Sequence, residues 1–196
     1  MEQDSPRLIL ASASPRRQEL LRDAGYDFAV HPAAIDESGA PDDLTPTNLA
    51  KHLSFEKAAF VAAQFPDKLV LAADTLVVFG DRPIGKPENA DDARRIITLL
   101  AGTTHLVITG VTVMSMSGFQ QTRSAISAVR MRVMAPAEIE QYVASGRWQG
   151  KAGGYGIQDP DPIVVRSGGS VSNIIGLPME IASEMLAEAG VFPRSE

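Results

Sequence analysis

"HLVITGVTVMSMSGFQQTRSAISAVRMRVM", His105 to Met134, holds two extended runs around one turn. Apolar and polar residues alternate from His105 to Met116, Ser117-Gly118 supplies the turn, and Ser124–Met134 returns. A period of two sends successive side chains to opposite faces, so the segment predicts a long antiparallel hairpin. A hairpin alone would suit an all-β protein. The segments outward from it are of another kind, and together they settle the class.

Upstream, Asn89 is placed to cap a helix with Asp91 and Asp92 in its first turn, and Gly102 ends it. Ala93, Ile96, Ile97 and Leu100 keep helical spacing inside it. Leu69–Ala73 reads as a buried strand leading into Asp74, Thr75–Phe79 continues extended, and Gly80-Asp81 turns. Thr45-Pro46 opens a helix that ends before Pro66, with Leu49, Leu53 and Phe60 as its apolar stripe. "LILASASPRRQELL", Leu8 to Leu21, is strand, small-residue loop and helix, with Ser14 as N-cap, Pro15 at the first helical position and Gly25 as the stop. Between them His31–Leu44 reads as an irregular loop that holds Asp36-Glu37.

Downstream come a helix over Pro136–Ser145 stopped by Gly146, a glycine-rich loop at Gly150–Gly156, an extended stretch at Ile163–Val165 and a helix over Pro178–Ala189 capped by Gly190. No internal repeat or linker interrupts the series. Strand–helix units beside an antiparallel hairpin imply an α/β protein of mixed α+β character, with a mixed sheet, in a single domain over residues 1–196.

The 196 residues are enough for one sizeable core or two lobes sharing a cleft. A net charge of −6 argues against a broad grip on nucleic acid, and no basic stripe with interleaved aromatics is present. With no cysteine, disulfides, zinc–thiolate sites and thiol nucleophiles are excluded. Met1–Arg7 is polar and no apolar run approaches the length of a membrane span, so no membrane partner is expected and the cytoplasm is the expected compartment.

Five positions carry chemistry. Arg16 and Arg17 sit in the first turn of a helix, where the dipole already presents positive charge. They read either as clamps on a phosphate held at the helix N-terminus or as an exposed basic pair. Lys57 falls on the apolar stripe of its helix, four residues after Leu53, as a snorkelling lysine or as one reaching an anion in a cleft. Asp74, inside "LVLAADTLVVF", needs a cation, a metal or hydrogen bonds. At a strand end it could hold Mg²⁺, activate a water or cap a turn. Lys86 lies on the constrained Gly85–Pro87 loop. "GRWQGKAGGYG", Gly146–Gly156, is not a P-loop, because three residues rather than four precede Gly-Lys and Ala152 follows. Its glycines permit close backbone approach to a ligand or form a flexible connection. His31, His52 and His105 have no metal-ligand spacing.

Taken together, the segments resemble the Maf family of nucleoside triphosphate pyrophosphatases nearly end to end. The resemblance rests on "LILASASPRRQELL", "IDE" at Ile35–Glu37, "EKA" at Glu56–Ala58, "LAADTLV" at Leu71–Val77, "GKP" at Gly85–Pro87, "THLVITGV" at Thr104–Val111, "GKAGGYGIQ" at Gly150–Gln158 and "SNIIGLP" at Ser172–Pro178. It implies a fold like that of the inosine triphosphate pyrophosphatases, a strongly bent mixed sheet with flanking helices and two lobes around a deep cleft. It implies hydrolysis of a nucleoside triphosphate between the α- and β-phosphates to monophosphate and pyrophosphate, with Mg²⁺ or Mn²⁺, in a cytoplasmic and often dimeric enzyme.

Carried over by position, the resemblance makes Asp74 the proton acceptor and Glu37 and Asp74 the metal-binding pair. Ser12, Arg16, Arg17, Lys57 and Lys86 become phosphate ligands, and Arg16, Thr75 and Gln158 match the branch acting on dTTP and UTP. The Gln158 amide offers donor and acceptor to the edge shared by thymine and uracil. Two departures stand near the base pocket: "DPDP" at Asp159–Pro162 where the family pattern has glycine after the glutamine, and Val171 where many members have an aromatic. The alternatives are the same reaction on 7-methyl-GTP or a modified pyrimidine nucleotide, and a nucleotide-binding regulator of cell division.

Overall fold

The computed structural model describes residues 7–41, 43–160 and 163–194. Among them the strands are β1 (Leu8–Leu10), β2 (Phe28–Val30), β3 (Leu69–Phe79), β4 (Arg82–Ile84), β5 (Thr104–Met114), β6 (Gln120–Met131) and β7 (Val164–Gly168). The helices are α1 (Pro15–Asp23), α2 (Pro46–Ala62), α3 (Ala90–Leu100), α4 (Pro136–Ala144), α5 (Val171–Ile175) and α6 (Met179–Glu188). One sheet runs in the order β2-β1-β3-β5-β6-β7, with β4 folded back on β3. β1 is parallel to both its neighbours, and every pairing from β3 onward is antiparallel. The sheet is mixed, as expected, and it curls into a half-barrel.

The long strands β3 and β5 position everything else. On one face their paired residues are Leu71–Val113, Ala73–Val111, Thr75–Thr109 and Val77–Val107. Leu71, Ala73, Val111 and Val113 pack with α1 and α6 through Leu21, Ala182, Met185 and Leu186. Val77 and Val107 belong to a second core with Ile96 and Ile97 of α3 and Ile139 and Val143 of α4. The two cores part where the face turns polar, at Thr75–Thr109, whose hydroxyls lie 3.0 Å apart. That seam is the floor of a cleft between two lobes. Asn173 of α5 closes the buried end of the seam, donating to the Val107 carbonyl at 3.1 Å and to Ser127 Oγ at 2.9 Å.

α2 covers the opposite face. It buries Ala50, Leu53, Ser54, Ala58, Val61 and Ala62, whereas Phe60 is 41% exposed. The expected stripe is therefore corrected: Leu53 and Lys57 lie on it, but small residues define it and Phe60 does not. The reason is the closeness of helix to sheet. A Cβ on Gly110 of β5 would sit 2.2 Å from the Ala50 carbonyl oxygen, so only glycine fits there.

Other expectations shift as well. β3 does not end at Asp74 but runs on to Phe79, so Asp74 is a mid-strand residue paired with Gly110. Both hairpin strands start earlier than the alternation suggests, β5 at Thr104 and β6 at Gln120. β2, β4 and α5 are elements of three to five residues that the periodicity does not announce. Asp161 and Pro162 of the "DPDP" departure, and the ends of the 1–196 range, lie outside the described residues. No helix among them is long and apolar enough to cross a membrane.

Candidate active site

The cleft encloses about 550 Å³, and its walls include Ser12, Arg16, Arg17, Glu37, Lys57, Asp74, Thr75, Lys86 and Gln158. These positions come from six separate stretches of the chain, and the fold brings all of them to one cavity.

The first wall is the turn from β1 into α1. Ser12 Oγ accepts from the Ser14 amide at 3.2 Å and from Arg17 Nη1 at 3.1 Å. The first backbone bond of α1 runs from the Gln18 amide to the Ser14 carbonyl, so the amides of Arg16 and Arg17 precede the helical ladder. Arg17 then spans the cleft floor. Its Nε donates to the Gly176 carbonyl at 2.8 Å and its Nη2 to Thr75 Oγ1 at 3.0 Å. Burial pulls its pKa below the usual guanidinium value, the nearby charge of Asp74 opposes that shift, Arg16 adds to it and Glu37 opposes it. Arg16 lies nearer the solvent, with Nη2 3.4 Å from the Gly150 carbonyl.

The second wall is ionic. Lys57, reaching from α2, lies 2.5 Å from Asp74 Oδ1 on β3 and 2.8 Å from Glu37 Oε1. The Lys57 and Asp74 side chains are only 12% and 10% exposed, Glu37 50%. Asp36 caps the short 3₁₀ turn at Glu37–Gly39 by accepting from the Ser38 amide at 2.9 Å, which fixes the approach of Glu37. Burial pushes the Glu37 carboxyl up, but the hydrogen bond and charge of Lys57, helped by Lys86 and Arg17, outweigh it and hold the group below its ordinary value. The cation that Asp74 requires is thus Lys57, and the lysine on the helix stripe is one that meets anions inside the cleft.

The third wall is the loop after α4. Three of its glycines press on protein, whereas Gly150 faces open space: a Cβ on Gly153 would meet Val77 at 2.8 Å, one on Gly154 Pro87 at 3.0 Å, and one on Gly156 Asp159 at 2.8 Å. The Gly153 amide donates to the Gly85 carbonyl at 3.1 Å, which ties this loop to the loop carrying exposed Lys86. Tyr155, buried at the cavity wall, lies with its hydroxyl 2.6 Å from His105 Nε2. Burial lowers the His105 pKa to about 4, so the ring is neutral at pH 7 and acts as a structural partner. Lys151 also lines the cavity, a position that no spacing in the glycine-rich sequence around it announces.

Glu37 and Asp74 each present a second carboxylate oxygen beyond the one facing Lys57. No cluster of three or more carboxylate or histidine ligands occurs among the described residues. Two carboxylates with an oxygen each to spare are hard donors of the kind that, with water and phosphate oxygens, suit a cation such as Mg²⁺.

Residues 7–189 match the Maf family, described as Maf-like protein. The dTTP/UTP pyrophosphatase of Syntrophus aciditrophicus is 43% identical over 94% of this chain and 90% of its own length. That of Moorella thermoacetica is 44% identical over 94% of this chain and 96% of its own. Among solved structures, the Staphylococcus aureus Ham1 protein aligns with 63% of this chain and 71% of its own, at 11% identity and a TM-score of 0.44.

Proposed function

The chain belongs to the Maf family, and we propose that it hydrolyses dTTP and UTP between the α- and β-phosphates, giving the monophosphate and pyrophosphate. The observation that carries this reading is the meeting, in one cavity, of a helix N-terminus bearing two arginines with a carboxylate–lysine–carboxylate cluster.

The triphosphate lies along the α1 turn, where Ser12, Arg16, Arg17 and Lys86 receive its charge. Gln158 reads the pyrimidine edge, Arg16 contributes to that choice, and Thr75 acts on it through its hydrogen bond to Arg17. Glu37 and Asp74 hold the divalent cation, Mg²⁺ or Mn²⁺, which when bound neutralises phosphate charge. Asp74 takes a proton from the attacking water as its oxygen bonds to the α-phosphorus. The bond to the α–β bridging oxygen then breaks and pyrophosphate leaves. Lys57 orients Asp74 for that role through its 2.5 Å hydrogen bond to Oδ1. With no nucleophilic side chain involved, catalysis is positioning and electrostatics. We assign the reaction to the cytoplasm and to a homodimer.

The test is pyrophosphate release from dTTP, UTP, CTP and 7-methyl-GTP with Mg²⁺ or Mn²⁺. Pyrophosphate from dTTP and UTP is expected, and release of inorganic phosphate instead would overturn the assigned bond. Asp74→Asn should reduce turnover by about 10³-fold or more while nucleotide affinity stays within a few-fold. Near-normal turnover in that variant removes the role given to Asp74.

A further inference from the structure

Asp159 follows the base-reading Gln158 directly, and its carboxylate is enclosed within the loop that carries that glutamine. Oδ1 faces the ammonium of Lys151, a cavity-lining residue eight positions earlier. Oδ2 accepts from the Tyr142 hydroxyl at 2.9 Å and from the Gly156 amide at 3.2 Å. The Asp159 and Lys151 side chains are 8% and 16% exposed, so the pair is largely removed from water. A charge so enclosed needs full pairing, and here one carboxylate has an ammonium, a phenol and an amide as donors.

The surroundings are built around this contact. A Cβ at Gly156 would lie 2.8 Å from both Asp159 Oδ1 and Lys151 Nζ, between the two charges. Tyr142 comes from α4, is fully enclosed in the core, carries the Arg147 guanidinium over its ring at 4.9 Å, and also reaches the Gly154 carbonyl at 3.1 Å. The ion pair therefore closes the segment from Lys151 to Asp159 into a ring and ties that ring to a rigid helix.

We propose that Asp159 is a positioning residue for base selection: by clasping Lys151, Tyr142 and the Gly156 amide it holds the 151–158 loop so that Gln158 meets the base in one orientation. The proposal rests on the nucleotide hydrolysis proposed above. It gives one departure from the family pattern a task at the base pocket. It also separates base reading from phosphate chemistry, because none of the clasp residues belongs to the Glu37–Lys57–Asp74 cluster.

Three variants test it: Asp159→Ala removes the clasp, Asp159→Asn keeps acceptors for the hydroxyl and amide, and Gly156→Ala wedges the ion pair without changing a charge. Hydrogen exchange of the 151–158 amides, measured without nucleotide, reads the loop. Steady-state kinetics on dTTP, UTP, CTP and GTP read the consequence. Asp159→Ala should speed exchange in this loop alone, raise the KM for dTTP about tenfold with kcat within about twofold, and lower the dTTP-to-CTP preference several-fold. Gly156→Ala should reproduce that pattern and Asp159→Asn should restore part of it. Unchanged loop exchange overturns the clasp. Faster exchange with unchanged preference among bases overturns its role in selection and leaves a merely stabilising ion pair. If the wild-type protein turns over no nucleotide, the proposed reaction fails, and the dTTP and CTP affinities of the same variants by calorimetry still decide the inference.

Discussion

Lys57 and Arg17 line one cavity as half-buried cations, and they are held in opposite ways. Lys57 meets two carboxylates, Glu37 and Asp74, so its charge is more than balanced within the protein. Arg17 meets neutral oxygens only, those of Ser12, Thr75 and Gly176. Hydrogen bonds to neutral acceptors fix the guanidinium without cancelling it, so its field remains available to an incoming anion. One cation organises acids, and the other is the one that the proposed reaction assigns to phosphate. The difference explains how two basic groups in one cleft can serve opposite ends of a single reaction.

The largest break in that contrast comes at Lys57. Lys57→Met leaves the enclosed Asp74 without its cation beside the half-exposed Glu37, and should cost about 3 kcal/mol of stability at neutral pH together with most of the turnover. The pH dependence has a definite sign. Lys57 depresses the native pKa of Glu37, so its stabilisation is present above the unfolded carboxyl range and is lost as pH falls through the native value. Chemical denaturation at pH 7.5 and near pH 3 should therefore show the wild-type and variant stabilities converging at the acid end. A constant gap would mean that the lysine acts through packing alone.

Arg17→Lys comes next. The charge is kept, but an ammonium cannot reproduce a fork that spans Ser12, Thr75 and Gly176, so kcat/KM should fall about 100-fold and equally across the nucleotide panel. Retained activity would show that charge without geometry suffices. Arg16→Ala is the mildest, since that side chain has one long contact to the Gly150 carbonyl. It should change the dTTP-to-CTP ratio by roughly fivefold with little effect on stability, which differential scanning calorimetry can check. A uniform loss for both arginines would erase the division of labour between them.

Much of this was readable from residues. α3 has the cap, the first-turn acids and the four buried positions that the pattern names, because capping and a strong apolar period are local properties. Asp74 stood out because a carboxylate inside an apolar run demands a partner. Which partner was a matter of tertiary structure, since nothing in the spacing joins Glu37, Lys57 and Asp74. Phe60 keeps the helical spacing and yet stays exposed, because a helix pressed flat on a sheet buries its small residues. The Asp159–Lys151 pair was hidden for a related reason: two charges in a glycine-rich loop look solvated until the loop is seen to fold over them. β2 and α5 were too short to leave a period.

The contact of Gly110 with Ala50 reaches further than its place in the packing suggests. Gly110 is the cross-strand partner of Asp74, and Ala50 stands two helical turns before Lys57. The separation of backbones that the Lys57 side chain bridges is thus set by a direct contact of strand backbone with helix backbone. Any side chain at position 110 would act as a shim, lifting one end of α2 by about 1 Å and tilting the lysine some 10 Å along the axis. The Lys57 side chain would then have to change its rotamers to keep the 2.5 Å contact with Asp74. The machining of this site is therefore written partly at a residue that has no side chain and touches no substrate.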